Sequence, residues 1–251
     1  MKRSQPRAKP TDKPRARAQG GVPTFVEAIK EDILFGRLRP RERLVEDDLI
    51  LRLKATRHGV RSALIELERL GLIIRIANKG AVVRDFSREE IEQICAVREM
   101  LHAQAARMVP LPAGPALLAE LEAAQAAHAR AVADADPAAI QRRDDAFHSA
   151  LFAACGNRFL AATIAEYRAM SLGFRCQLMA NPTLAAGARD EHAAMIDALR
   201  RGDRARLVRL CVNHTRASRT VYMALQGWAA VPLAWPDPAT AKEPALDAAE
   251  A

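Results

Sequence analysis

Aromatic residues, paired cysteines and long apolar runs are all scarce in this chain of 251 residues. Aromatic side chains make up 4% of the residues although half of the residues are apolar, and this composition, dominated by Ala, favours closely packed helices over sheets. No apolar run approaches the roughly 18 residues of a membrane helix, and the N-terminus lacks the hydrophobic segment of a signal peptide. We therefore expect a soluble, mainly helical protein with no membrane partner.

The four cysteines, Cys95, Cys155, Cys176 and Cys211, are scattered along the chain and form no C-x-x-C pair. This spacing argues against a disulfide framework and against a thiolate zinc site, and it fits a reducing environment. We predict a cytoplasmic location.

Basic residues are concentrated near the N-terminus. Residues 1–20 contain seven Lys and Arg against one Asp, and residues 22–84 contain thirteen against nine acidic residues, whereas the remainder is slightly acidic. This distribution is typical of a chain whose first part binds a polyanion, although a solvated tail and an ordinary charged surface would give the same balance.

The elements predicted after the basic arm are three helices and a hairpin. A capping box at Thr24 starts the first helix, a second helix covers residues 46–53, and a third starts at the N-cap Thr56. The segments "LIIRI" and "AVVR", separated by a turn, predict a two-stranded hairpin. This order within about 60 residues is that of a winged helix-turn-helix.

Beyond the hairpin the pattern is helical throughout. We predict six helices, over residues 88–108, 115–133, 137–155, 157–180, 186–201 and 203–226. The predicted fold is mainly α, a winged helix-turn-helix followed by an all-helical bundle. The predicted domains are a disordered basic arm (1–20), a winged helix-turn-helix domain (21–85), a helical domain (86–228) and a disordered tail (229–251).

The third helix, "TRHGVRSALIELERL", has the character of a recognition helix. Its apolar face carries Val60, Leu64 and Leu67, whereas Arg57 and Arg61 lie one turn apart on the outer face and could contact guanine edges or phosphates. Lys79 at the tip of the hairpin suits an adjacent phosphate or the minor groove.

Residues 36–83 resemble the N-terminal domain of GntR-type bacterial repressors, whose pattern includes G-x-L-x-P, L-x-E-x-x-L and S-R-T-P-V-R-E-A-L. The matching residues are Gly36, Leu38, Pro40, Leu44, Glu46, Leu49, Leu53, Thr56, Arg57, Val60, Arg61, Ala63, Leu64, Gly71, Leu72 and Gly80. The resemblance implies that the DNA contacts are Thr56, Arg57, His58, Gly59 and Arg61, with Lys79 and Gly80 on the wing.

This chain departs from that pattern at three places. His58-Gly59 replaces Thr-Pro, Lys54-Ala55 replaces Gly-Val, and Asp47 occupies a position where some members carry a contacting Arg. A carboxylate at that position would repel phosphate, so we expect an altered operator preference.

Four polar residues fall on the apolar stripes of the later helices. Asp144 and His148 lie one turn apart on 137–155, His192 lies on 186–201, and His214 lies on 203–226. Each His alone is explained as a core histidine with its hydrogen bonds satisfied. An unpaired buried carboxylate is costly, however, and the four residues together suggest that they hold a cation.

The same region resembles the FCD ligand-binding domain of the FadR branch of GntR regulators. The segments "DAFHSALFAACGN", "EHAAMIDALRRGD" and "CVNH" carry the resemblance. It implies that Asp144, His148, His192 and His214 are metal ligands, and three nitrogens with one oxygen suit zinc first, with nickel, iron or manganese as alternatives.

In such a domain the metal accepts the carboxylate of an effector. Arg98, on the inward stripe of its helix, is a candidate partner for that carboxylate, with a structural salt bridge as the alternative. Asn157 could contact the effector or simply start its helix. Arg168 and Arg175 are weaker candidates, and His102 stands where members often have Glu.

These features predict a homodimeric regulator that binds a pseudo-palindromic DNA operator. The resemblance implies that it is a repressor controlled by a small organic acid. Two alternatives stay open. One is a metal-dependent hydrolase, for which Glu191 is the one candidate base. The other is a DNA-binding protein whose helical bundle only dimerises.

Overall fold

The computed structural model describes residues 21–179 and 181–228, and within them it contains ten helices and one two-stranded antiparallel sheet. The predicted arm (1–20) and tail (229–251) lie outside the described residues. The elements, in chain order, are α1 (Val22–Leu34), α2 (Glu46–Leu53), α3 (Arg57–Arg69), β1 (Ile73–Ile76), β2 (Gly80–Val83), α4 (Arg88–Met108), α5 (Pro115–Ala133), α6 (Pro137–Ala153), α7 (Arg158–Met170), α8 (Leu172–Met179), α9 (Pro182–Arg201) and α10 (Arg204–Leu225). None of the described helices combines the length and the apolar character needed to cross a membrane.

The first three helices and the hairpin form the predicted winged helix-turn-helix. They share one core that includes Ile29, Val60 and Leu67, none of which is exposed to solvent. The start of α1 was predicted wrongly: the helix begins at Val22 with a proline in its first turn, where the missing N–H costs nothing, and Thr24 lies inside it. The bounds predicted for α2 are confirmed.

The turn between α2 and α3 is formed by two backbone features. Lys54 ends α2 in the left-handed conformation with φ +48°. The side-chain oxygen of Thr56 then accepts a hydrogen bond from the backbone N–H of Gly59 at 3.0 Å, so Thr56 is the N-cap of α3 as predicted.

The remaining helices form a bundle around an apolar centre that includes Phe147, Leu151, Leu199 and Leu207. The longest helices, α4 and α10, pack side by side, and Arg216 of α10 donates a hydrogen bond of 2.7 Å to Glu99 of α4. Side-chain caps fix the starts of several helices, among them a capping box at α4 and aspartate caps at α6 and α10.

The prediction of one helix over residues 157–180 is wrong. The chain breaks at Ser171 into α7 and α8, so the described bundle has seven helices instead of six. The buried hydroxyl of Ser171 donates to the carbonyl oxygen of Arg168 at 2.9 Å, a local bond that competes with the helical pattern. The next helix, α9, begins at Pro182 and not at residue 186, because the side chain of Asn181 caps it.

The short helix α8 joins the two halves of the molecule. Leu172, at its first position, is buried in the core of the winged helix-turn-helix. The next residue, Gly173, lies so close to Phe86 that an added Cβ would be 3.0 Å from the ring. The helical bundle therefore contacts the winged helix through α8.

Candidate metal centre and DNA-binding face

Asp144, His148, His192 and His214 converge at one point inside the bundle. All four side chains are buried, and one ligand atom from each lies within 4.8 Å of the other three. Two of the residues are one turn apart on α6, which places them on the same face, and α9 and α10 supply one histidine each. The structure thus brings together the four residues that the sequence proposed as ligands.

The distances between these atoms match the size of a metal site. Nε2 of His148 lies 3.2 Å from Nε2 of His214 and 3.1 Å from Nε2 of His192. Oδ1 of Asp144 lies 3.6, 3.5 and 3.9 Å from Nε2 of His148, His192 and His214. Ligands bound tetrahedrally at zinc distances would be separated by about 3.4 Å. The four donors therefore fit a divalent transition metal ion.

Neighbouring residues orient the ligands from outside the cluster. Oδ2 of Asp144, which faces away from the histidines, accepts hydrogen bonds from Arg168 at 2.9 Å and Arg175 at 3.3 Å. Nδ1 of His214 lies 2.8 Å from the carboxylate of Glu191. A proton on this Nδ1 leaves the lone pair of Nε2 directed at the cluster, as in the carboxylate–histidine–metal arrangements of known metal sites.

Asp144, His148 and His192 also have the protonation states that a metal ion requires. Burial lowers the pKa of His148 and of His192 well below 6.5, so both imidazoles are neutral at pH 7. Burial alone would raise the pKa of Asp144, but His148 and the guanidinium groups of Arg168 and Arg175 lower it by more, to well below its usual range. An ionised carboxylate and neutral imidazoles are the metal-binding forms.

Arg98 is the clearest unsatisfied group near this cluster. Its side chain is 1% exposed, and none of its three guanidinium nitrogens has a hydrogen-bond partner among the described residues. Burial and the like charge of Arg175 lower the pKa of Arg98 to about 9, so the group stays protonated at pH 7. A buried cation without a partner is costly, and it is a natural position for an anion.

His102 lies one turn after Arg98 on α4 and is equally buried. Its Nδ1 is 3.0 Å from the hydroxyl of Thr215, whereas its Nε2 has no hydrogen-bond partner in the described part of the chain. A small, partly open cavity lies on the side of the cluster lined by Asp144, His214 and Arg175. Space and unsatisfied polar groups thus adjoin the cluster.

The other residues predicted near the pocket have different positions. The side-chain oxygen of Asn157 caps α7, accepting from the N–H groups of Phe159 and Leu160, so this residue does start its helix. Sequence reasoning underrated Arg168 and Arg175, which hold Asp144. The sequence predicted one continuous helix through Ser171, so the side of the helix on which these two arginines lie could not be predicted.

The predicted DNA-contacting residues of α3 lie near its N-terminus and, with one exception, on its exposed face. Thr56, Arg57, His58 and Arg61 are exposed. Both arginines pair with acids at the start of α2: Arg57 lies 2.6 Å from Asp47, and Arg61 lies 2.9 Å from Glu46. The carboxylate expected to repel DNA phosphate therefore holds a recognition-helix arginine.

Gly59 is the exception and corrects the expected set of contacts. It is buried, its N–H donates to Thr56, and a Cβ at this position would lie 2.9 Å from Phe25. Gly59 therefore packs α3 against α1 instead of facing DNA. On the wing, Lys79 and Gly80 are both exposed, and Gly80 adopts the left-handed φ of +78° that a tight turn requires.

Comparison with protein families adds the decisive observation. The model for bacterial regulatory proteins of the gntR family matches residues 24–83, and the model for the FCD domain matches residues 93–217. The chain belongs to the GntR family. This GntR-family transcriptional regulator carries a C-terminal FCD effector-binding domain, and all four residues of the cluster lie within the FCD match.

Several solved structures have a similar fold. E. coli McbR/YncC is 17% identical, with a TM-score of 0.67 over 82% of this chain and 98% of that chain. A putative GntR transcriptional regulator from Rhodococcus sp. RHA1 is 19% identical, with a TM-score of 0.67 over 81% and 97%. Lar, which controls expression of the Listeria monocytogenes agr system, is 16% identical, with a TM-score of 0.58 over 84% and 100%. No curated protein matches the chain.

Proposed function

We propose that this GntR-family regulator is a homodimeric repressor that binds a pseudo-palindromic operator and releases it when a small organic acid binds at a metal ion. In this proposal residues 21–85 bind DNA, and residues 86–228 bind the metal and the effector. The single observation that carries the proposal is the convergence of Asp144, His148, His192 and His214 on one buried point.

The metal would be a divalent transition ion held by these four ligands. Zinc suits this set of donors best, and nickel, iron and manganese are the alternatives. When bound, the ion supplies a Lewis-acid position that accepts a carboxylate oxygen. Arg98 is the second feature that supports an acidic effector, because its buried guanidinium can hold a carboxylate through two parallel hydrogen bonds.

Helix α8 supports a route from the effector site to the DNA-binding half. Arg175 holds the carboxylate of Asp144, and Leu172, three residues earlier, is part of the winged-helix core. A movement of Asp144 on effector binding would therefore be transmitted to the winged helix through one rigid turn. Operator affinity changes only if the effector binds the two arrangements with different affinity.

On the DNA side, α3 would enter the major groove with Arg57 and Arg61 directed at bases or phosphates. Both arginines are paired with acidic residues of α2. These ion pairs are exposed and each contributes little free energy in water, so DNA binding can replace them with contacts to DNA at small cost. His58 and Thr56 lie beside them, and Lys79 with Gly80 would contact the backbone from the wing.

The test starts with selection of operators from a random DNA pool by the full-length, metal-loaded protein, followed by affinity measurements with a panel of organic acids. We expect enriched sites with two-fold symmetry, a dimer by sedimentation, and release by at least one acid. Metal-stripped protein should bind the operator without responding to the acid. A response that survives removal of the metal would contradict the metal site, and an absence of sequence preference would contradict the DNA-binding role.

The geometry gives little support to the hydrolase considered from the sequence. Glu191, the candidate base, lies against Nδ1 of His214, on the opposite side of that ring from the cluster. It is therefore poorly placed to take a proton from a water molecule bound at the metal position.

A further inference from the structure

The charges around the proposed metal ion do not balance, and all of them except that of Asp145 are buried. Arg168 lies 2.9 Å from Asp144 and 2.6 Å from Asp145, and Arg175 lies 3.3 and 3.4 Å from the same two carboxylates. Two guanidinium groups thus face two carboxylates, and these four charges cancel. A divalent ion would add two positive charges, against which Glu191 supplies one negative charge.

Arg98 increases this positive excess. It adds one more buried positive charge and forms no hydrogen bond within the described residues. The strongest effects on Arg98 from neighbouring arginines come from Arg175 and Arg168, whose charges are of the same sign. With the ion bound, the site would carry two positive charges that no side chain described above compensates, and uncompensated buried charge is strongly unfavourable.

The residue best placed to compensate Arg98 is a histidine. His102 lies four residues after Arg98 on α4, the spacing at which helical side chains meet. Burial and the charge of Arg98 lower the pKa of His102 well below 6.5, so the ring is neutral at pH 7 and supplies no negative charge. Its Nε2 is also without a partner among the residues described.

We infer that the effector is a dicarboxylate, with one carboxylate directed at the metal ion and the other at the guanidinium of Arg98. This inference rests on the proposed function and specifies its ligand. Because Arg98 forms no hydrogen bond with any residue of the cluster, its guanidinium is a separate anchoring point. A ligand with two acidic groups neutralises both positive charges, whereas a monocarboxylate leaves one of them buried and unpaired.

The experiment measures dissociation constants on the full-length, metal-loaded protein. The probes are dicarboxylates of three to six carbons, among them succinate, together with their monomethyl esters, the matching monocarboxylates and inorganic phosphate. Each ester keeps the carbon skeleton of its diacid and removes one charge. We expect the best dicarboxylate to bind about tenfold or more tightly than its monomethyl ester, since a charge-assisted contact is lost.

Two variants test the roles of the residues. In Arg98→Gln the preference for the diacid over its ester should fall to about threefold or less, because the second anchor is gone. In His102→Glu a carboxylate is added one turn from Arg98, and monocarboxylates should bind at least as well as diacids. Unchanged metal content and helical circular dichroism show that each variant folds.

The outcomes separate the inference from the function on which it rests. Monocarboxylates that bind wild-type protein as tightly as diacids would overturn the inference and leave the proposed effector site intact. Phosphate that binds as tightly as the best diacid would overturn the two-anchor arrangement. If no acid binds protein that contains one metal ion per chain, the proposed effector function fails together with the inference.

Discussion

Arg175 holds the carboxylate of Asp144 from a helix that also belongs to the core of the winged helix. Its Nη1 lies 3.3 Å from Oδ2 of Asp144, and Oδ1 of the same carboxylate faces the three histidines. Leu172, one turn earlier on α8, is buried in the core of the winged helix, and α8 packs against α1. The candidate metal centre and the DNA-binding half therefore both contact one short helix.

Replacing Arg175 with Gln should separate metal binding from the response to effector. Arg168 still holds Asp144, so the protein should keep its metal ion, whereas the contact from α8 is lost. We expect the effector to change operator affinity by less than about threefold in the variant, against the 5- to 150-fold typical of allosteric coupling. Fluorescence anisotropy of labelled operator with and without effector measures this ratio, and an undiminished ratio would exclude α8 as the connection.

His192→Ala removes one ligand and should lower metal affinity by at least about a hundredfold, since outer-shell losses alone cost about 10- to 100-fold. The matched control is His128→Ala, because His128 is also buried and its ring centroid lies 4.9 Å from that of His192, yet it is outside the cluster. Elemental analysis should find the metal in the control and not in His192→Ala. Operator binding without effector should be similar in both, and equal metal content in the two variants would remove His192 from the site.

Arg57→Ala should weaken operator binding by about 1–3 kcal/mol, with relaxed base preference if Arg57 contacts a base edge or a smaller salt dependence if it contacts phosphate. Arg69→Ala, at the far end of α3, is the control and should bind as wild type does. Asp47→Ala should strengthen binding, because it releases Arg57 and removes a negative charge that faces DNA. In the Arg57→Ala background that gain should shrink, and a gain of the same size would show that the two residues act independently.

Gly59→Ala tests the packing of α3 on α1. In an open helix this change would stabilise the protein by up to about 1 kcal/mol. Here the added Cβ meets Phe25 at 2.9 Å and Thr56 at 3.2 Å, so we expect a loss of about 1–3 kcal/mol in the free energy of unfolding. Chemical denaturation measures it, and Phe25→Leu in the same chain should restore part of the loss. A stabilising Gly59→Ala would show that Phe25 moves aside at no cost.

The buried histidines make the metal-free protein sensitive to acid. Burial lowers the pKa of His102, His128, His148 and His192, so these rings stay neutral in the folded state where the unfolded chain takes up protons. Their stabilising effect is complete above about pH 6.5 and is lost as the pH falls below it, by up to about 1.4 kcal/mol per pH unit for each group. Urea denaturation at pH 7.5, 6.5 and 5.5 should show this decline, and a constant free energy of unfolding would show that these rings are not held neutral by burial.

Local signals in the sequence predicted most helices and identified the four polar residues that meet inside the bundle. Caps, prolines and glycines define helix ends through bonds within a few residues, so α2, α4 and α5 were predicted with their observed bounds. Asp144 and the three histidines could be identified because polar residues on apolar stripes must meet in the core. At the break, the buried hydroxyl of Ser171 donates to the carbonyl oxygen of Arg168 and accepts from Nε of Arg175, and no local sequence pattern predicts that burial. The burial of Gly59 likewise depends on Phe25, more than thirty residues away.

The most direct test of the account is a crystal structure of the metal-loaded protein with anomalous diffraction recorded at the absorption edge of the metal. The account predicts one anomalous peak per chain at about 2.0–2.2 Å from Oδ1 of Asp144 and from Nε2 of His148, His192 and His214. A protein that contains metal but shows no peak among these four atoms would contradict it.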